Sequence, residues 1–214
     1  MIRLDIFSDP VCPWCYIGKA NLDRALEGRA DHPFAVEWHP FQLNPDMAPE
    51  GVDRAAYLEA KFGGKDKAVQ IYARVVEAAE AAGLVIDFAN IPKVPNTLSA
   101  HRLIYWAGLE GKQTAVVSAL FRAYWREGRD IGDTATLAAI AGEAGLDREV
   151  IARLLASDAD VGDIVARDRH ARERGINAVP TFIVANQYAL SGAQAPELWR
   201  QVIEELGEKQ GAAG

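Results

Sequence analysis

The chain has 214 residues, half of them apolar and a quarter charged, which is enough to bury a full hydrophobic core and unlike the profile of a disordered segment. A formal net charge of -7 opposes phosphate backbones and anionic lipid, so neither nucleic acid nor membrane is an expected partner. Two cysteines are too few to staple a secreted domain, and the first residues show neither a basic leader nor a long apolar run; the expectation is a cytoplasmic protein in which cysteine serves chemistry.

Ile2, Leu4 and Ile6 alternate with Arg3 and Asp5, which predicts a half-buried strand over Arg3 to Phe7. After Ser8-Asp9-Pro10 the period changes: Cys15, Gly18, Leu22, Ala25 and Leu26 share one face of a helix that runs up to Gly28. Phe34 to Phe41 reads as a second strand and closes a βαβ unit. From Asn44 to about Gly175 the strand pattern is absent. Stretches rich in Ala, Leu, Glu and Arg, broken by Gly63-Gly64, Gly83, Pro92-Lys93-Val94-Pro95, Gly111, Gly128, Gly132 and Gly145, predict an all-helical insertion. Within it, Arg167-Asp168-Arg169 and Arg172-Glu173-Arg174 read as a solvated helix face. Thr181 to Val184 and Tyr188 to Ser191, separated by Asn186-Gln187, predict a hairpin. A last helix starts at Pro196 and carries Leu198, Trp199, Val202, Ile203 and Leu206, with residues 211–214 expected to fray.

The chemistry lies in Val11-Cys12-Pro13-Trp14-Cys15-Tyr16. Proline suits the first helical position, which makes Cys12 the N-cap. There its sulfur is expected to accept from the N–H groups of Trp14 and Cys15 and to feel the helix dipole, so that Cys12 is an exposed nucleophile of lowered pKa. Cys15, on the apolar face one turn away, is the resolving thiol. Trp14, wedged between the two, is an apolar contact for substrate. A C-x-x-C at a strand-to-helix junction is the setting of redox chemistry. A zinc site would need further ligands from His32, His39, His101 and His170, none of them in paired spacing, so no metal is expected; two inert packed cysteines are the other bland reading.

Ala178-Val179-Pro180-Thr181-Phe182 puts a proline at a strand entrance. With the cysteine motif, these residues resemble the cis-proline loop of thioredoxin-fold proteins. The resemblance implies that Pro180 faces the cysteines and that the backbone of Val179 pairs with bound substrate. The segments Ser8 to Lys19, Pro40 to Pro45, Pro95-Asn96-Thr97 and Ser191 to Gln194 together resemble the FrnE-type branch of the DsbA family. That resemblance implies an α/β, thioredoxin-like fold (βαβ … ββα) with a large helical insertion: residues 1–43 and 176–210 form a discontinuous thioredoxin-like domain, and 44–175 the insertion. It also implies a thiol–disulfide oxidoreductase, reductase or isomerase, acting on protein or glutathione-type disulfides. Glutathione would be a co-substrate, no cofactor would be tightly bound, and the chain would be a monomer or homodimer.

A neighbouring branch, the 2-hydroxychromene-2-carboxylate isomerases and kappa-class glutathione transferases, shares the fold but has serine where this chain has Cys12. A glutathione-dependent isomerase or transferase is therefore the second reading, and a non-catalytic binder using the same groove the third. Asn96 reads first as the N-cap of the helix carrying Leu98, Arg102, Leu103 and Trp106; in the resembling families it faces the active site and hydrogen-bonds a peptide or glutathione backbone. His101 reads as a packed surface histidine with a cleft-facing role as the alternative, and His39 as structural.

Overall fold

The computed structural model describes residues 1–29 and 32–212, with the side chains of 208–212 left aside. In chain order the elements are β1 Ile2–Ser8, α1 Pro13–Leu26, β2 Phe34–Pro40, β3 Val52–Asp53, α2 Arg54–Phe62, α3 Lys65–Ala81, β4 Lys93–Val94, α4 Leu98–Leu109, α5 Gln113–Trp125, α6 Thr134–Glu143, α7 Arg148–Leu155, α8 Val161–Glu173, β5 Thr181–Val184, β6 Tyr188–Ser191 and α9 Pro196–Ala212. The architecture is mixed α/β, a thioredoxin-like sheet with helices on both faces.

The main sheet has the order β2-β1-β5-β6. β2 runs parallel to β1, in register from Ile2 opposite Phe34 to Ser8 opposite Pro40. β5 is antiparallel to β1, with Phe7 opposite Thr181. The hairpin turns through Ala185 and Asn186, both at positive φ. Residues 4 to 8 of β1 are all buried, as expected for a strand with neighbours on both edges and helices on both faces. Its one charged member, Asp5, is held by Arg3 and by His39 at 2.5 Å, which confirms His39 as structural. The Asp5 carboxyl is depressed: burial alone would raise it, but the hydrogen bonds from Arg3 and His39 outweigh that.

One core spans the sheet and the helical segment. Leu4, Ile6, Trp38, Phe182 and Trp199 pack in the same cluster as Leu103, Leu120, Phe121, Trp125 and Leu137. Trp199 of α9 is fully buried, edge-on to both Phe34 and Phe182.

Two expectations about the chain between the sheet's halves need correction. The segment is not all-helical, because Val52 pairs with Val94 and Asp53 with Lys93 in a second, antiparallel ladder. A two-residue strand is too short to show a period of two, and tertiary pairing decides it. Gly51 makes the approach feasible: at φ +73 a Cβ there would lie 2.5 Å from the Val94 carbonyl oxygen. Nor is the charged face of α8 merely solvated. Asp168 is buried and accepts from the Gln42 N–H at 2.8 Å, while Arg172 bonds Asp168 and the Gln42 carbonyl and stacks on Phe41 at 4.0 Å. At the end of the chain, where fraying is expected, α9 is assigned through Ala212, and residues 213–214 lie outside those described. Among the described residues no helix is long and apolar enough to cross a membrane.

β2 is an edge strand whose backbone is closed off by a side chain. Gln113 accepts from the Trp38 N–H at 2.8 Å and donates to the Trp38 carbonyl at 3.0 Å, as a neighbouring strand would. Gln113→Leu removes both partners from a buried position and is expected to cost about 1–3 kcal/mol, measured by urea unfolding. A second close approach lies between α1 and β5, where a Cβ on Gly18 would meet Pro180 Cγ at 3.1 Å, Phe182 Cζ at 3.3 Å and Ala193 Cα at 3.4 Å. None of these is the loose end of a flexible chain, so Gly18→Val is expected to cost about 1–3 kcal/mol by overpacking, against Gly18→Ser as the smaller step in the same unfolding assay.

Candidate active site

β1 ends at Ser8, and the turn that follows is anchored on three sides. The Cys12 N–H bonds the Asp9 carbonyl at 2.9 Å, the Pro10 carbonyl accepts from the buried indole of Trp125 at 3.0 Å, and the Asp9 carboxylate takes the Leu43 N–H at 2.7 Å. Pro13 then opens α1 with Cys12 at the N-cap, as its φ of -91° and ψ of 115° confirm.

The cap itself differs from expectation. The Cys12 sulfur accepts no hydrogen bond from the helix; the Cys15 and Tyr16 N–H groups bond the Cys12 carbonyl instead, at 3.1 and 3.3 Å. The sulfur lies 3.7 Å from the Val179 carbonyl oxygen, across the active site. Cys12 is also not an exposed nucleophile: only 4% of it is accessible, and it sits in the wall of a recess. Cys15 is deeper, at 1%. Burial pushes its thiol well up and the adjacent Cys12 adds to this; the Asp9 N–H and the Ser8 hydroxyl pull the other way without offsetting it. Both cysteines are free thiols.

Opposite them the Val179–Pro180 peptide is cis. Thr181 fixes the loop through its hydroxyl to the Ala178 carbonyl at 2.8 Å, and the Gly192 N–H bonds the Pro180 carbonyl at 2.8 Å. Cys12, Cys15, Val179 and Pro180 are therefore gathered in one place from the two ends of the chain.

The recess in front of Cys12 has a volume of about 330 Å³. Trp14, 38% exposed, stands at its mouth, and α2 and α3 roof it with Arg54, Tyr57, Lys61 and Tyr72. Arg54 stacks over Tyr72 at 4.8 Å and over Phe88 at 5.0 Å, and Lys61 over Tyr57 at 5.0 Å. Among the described residues no carboxylate lines this recess and neither cation is ion-paired. Sequence reasoning missed Arg54 and Lys61: nothing in a charged residue of an amphipathic helix shows that the helix folds back over a motif some forty residues earlier.

Asn96 is placed differently from the other site residues. The N-cap of α4 is Thr97. Asn96, one position earlier, accepts from the Leu98 N–H at 2.9 Å and donates to the Met47 carbonyl at 2.6 Å; it does not line the recess. Its amide ties the segment after β2 to α4. His101 is not a surface residue: it is 2% exposed, with Nε2 3.6 Å from Asp9 Oδ1.

For a metal, the described residues offer Asp5, Glu37 and His39, whose donor atoms lie within 4.8 Å of one another. Arg3 bridges Asp5 at 2.7 Å and Glu37 at 3.0 Å, so that cluster already holds its counter-charge, and neither cysteine belongs to it.

Comparison with known proteins agrees with this geometry. A family model described as the DSBA-like thioredoxin domain matches residues 3–204. The uncharacterized protein YwbO of Bacillus subtilis (strain 168) is 29% identical over 212 residues, covering 98% of this chain and 99% of YwbO. Among solved structures, the probable DsbA oxidoreductase SCO1869 from Streptomyces coelicolor superposes with a TM-score of 0.85 at 30% identity, covering 96% of this chain and 89% of that one. The cytosolic disulfide reductase DsbM from Pseudomonas aeruginosa, solved with GSH, shares the fold at 21% identity and a TM-score of 0.68, covering 96% and 99% of the two chains. With its paired cysteines, its cis-proline loop and a family match spanning nearly its whole length, the chain belongs to the DsbA-like thioredoxin family.

Proposed function

We propose that this protein is a cytoplasmic thiol–disulfide oxidoreductase, working as a reductase or isomerase through Cys12 and Cys15 on protein or glutathione-type disulfides. The observation that carries the reading is the pair of free sulfurs one helical turn apart, the outer one at the wall of a recess and facing the Val179 carbonyl, the inner one sealed beneath it.

The Cys12 thiolate attacks a substrate disulfide: a Cys12–substrate S–S bond forms, the substrate's own S–S bond breaks, and one substrate thiolate leaves. Cys15 then attacks Cys12 Sγ, the second substrate sulfur leaves with its electron pair, and a Cys12–Cys15 disulfide remains. The substrate has gained two electrons, and glutathione returns them to the enzyme in the next half-cycle. No step needs a tightly bound cofactor. Val179 offers backbone to an extended substrate segment, Pro180 shapes that loop, and Trp14 supplies an apolar contact at the mouth. A reducing compartment keeps a disulfide that small thiols can reach reduced by mass action, and Cys12 lines an open recess, which supports reductase or isomerase duty over net oxidation.

The test is Cys15→Ser. The expected result is a covalent adduct between Cys12 and substrate, seen as a mass increase of one substrate thiol, with disulfide-reductase turnover at background. Normal turnover by Cys15→Ser that depends on glutathione would overturn the dithiol mechanism and favour the glutathione-dependent isomerase or transferase reading, which needs Cys12 alone.

A further inference from the structure

β2 is the outer strand of the main sheet, and among the described residues β1 is its one neighbour. In a strand, the N–H and C=O of alternate residues face the same edge. The Ile2 N–H bonds the Pro33 carbonyl at 2.6 Å, so Ala35, Glu37 and His39 also turn their backbone toward β1, while Phe34, Val36, Trp38 and Pro40 turn theirs outward. At Trp38 both outward groups are filled by the Gln113 amide, and Pro40 has no N–H to offer. Val36 is left open: among the described residues no hydrogen bond reaches its outward N–H or carbonyl. Such a rung is a template for an added strand.

Val36 also lines a cavity of about 760 Å³, to which α4 and α8 contribute Ile104, Tyr105, Ile164 and Arg167. That volume lies in the range of ligand sites, roughly 300–1,000 Å³. The cavity shares no lining residue with the recess in front of Cys12. Its charge runs against that of the chain: Arg3, Lys112 and Arg167 line it with a single carboxylate, Glu37, in a protein of net charge -7. Most of that charge is already matched. Arg3 binds Asp5 at 2.7 Å and Glu37 at 3.0 Å, and Lys112 lies 3.5 Å from Glu110. Arg167 is left over: it stacks over Tyr105 at 4.9 Å, and among the described residues it pairs with no carboxylate.

We infer that this edge of β2 is a second binding site, which takes an extended peptide segment carrying an acidic side chain. The segment adds as a strand: one of its carbonyls accepts from the Val36 N–H, and one of its N–H groups donates to the Val36 carbonyl. Gln113, whose amide already serves the next rung as a strand would, marks where the added strand ends. The stretch of β2 left to pair with accommodates roughly four residues. The acidic side chain meets Arg167, the cation without a partner, and apolar side chains of the segment rest on Ile104 and Ile164. Neither cysteine takes part, so the site is independent of the thiol-exchange reading and docks a partner without transforming it.

Amide-resolved NMR of the reduced full-length protein, titrated with acetyl-Val-Glu-Val-Glu-amide, tests the site. The expected result is a saturable shift of the Val36 amide, its hydrogen exchange slowed at least tenfold at saturation, and no shift at Cys12 or Cys15. Arg167→Glu is expected to weaken this peptide at least fivefold and to admit acetyl-Val-Lys-Val-Lys-amide, which the wild type refuses. The acidic peptide N-methylated throughout, unable to donate to the Val36 carbonyl, is expected not to bind the wild type. Three results on the wild type alone would each overturn the inference, so a variant that fails to fold does not decide it: no saturation at Val36 with millimolar acidic peptide, equal binding of the lysine peptide, or equal binding of the N-methylated one. N-acetylglutamate amide binding as tightly as the tetrapeptide would reduce the site to an anion pocket and overturn the strand. Protection of Val36 that grows with protein concentration, without peptide, would give the edge to a second copy of the chain and overturn the peptide.

Discussion

The active site depends on how the turn after β1 is tied down. A thiol pair separated by one helical turn reacts with itself only if both sulfurs are held at the start of that helix, and the start of a helix is where backbone is least secured by its own hydrogen bonds. Here the turn is fastened from outside it. Trp125, on α5, grips the Pro10 carbonyl, and the Leu43 N–H is bound by Asp9. Each of these contacts crosses more than thirty residues of sequence, so the helical segment acts as the clamp that positions the cysteines as well as a cover for the sheet.

The same clamp reaches the far wall of the recess. Asp168 and Arg172 on α8 hold both backbone groups of Gln42, and Asp9 holds the next residue, so the segment following β2 is fixed from two directions as it passes the cysteines. Asn96 continues the arrangement by binding the Met47 carbonyl. Four polar side chains, two of them buried, are thus spent on positioning backbone. This is the usual means by which buried polar groups avoid the penalty of being unpaired.

The sequence shows the sheet and the cysteine motif plainly because both rest on local patterns. Alternation in Ile2 to Ile6, the change of period after Pro10, and proline directly after Cys12 each bias neighbouring residues. Strand β5 was legible to the residue for the same reason. What the sequence does not show are facts of placement. Val52 and Val94 become strands only because Gly51 lets them meet; His101 is buried only because α4 lies against the Asp9 turn; and Arg54 belongs to the recess only because α2 folds over it. Charged helix faces are the hardest to read, since periodicity separates apolar from polar but not a solvated arginine from one that packs against a loop, as Arg172 does on Phe41.

The charge pattern around the cysteines follows from the chemistry they carry. Thiol exchange moves negative charge from one sulfur to the next, and a carboxylate in the recess would oppose every thiolate formed there, most strongly where water is scarce. The chain carries 30 acidic residues against 23 basic ones, yet the recess in front of Cys12 is walled by aromatic rings and two cations without a single acid. Asp9, in the turn before the motif, does not line the recess and has His101 beside it and two backbone N–H groups on its oxygens. Excess acid is thus kept to the rest of the surface, and the face presented to a leaving thiolate is one that favours its charge.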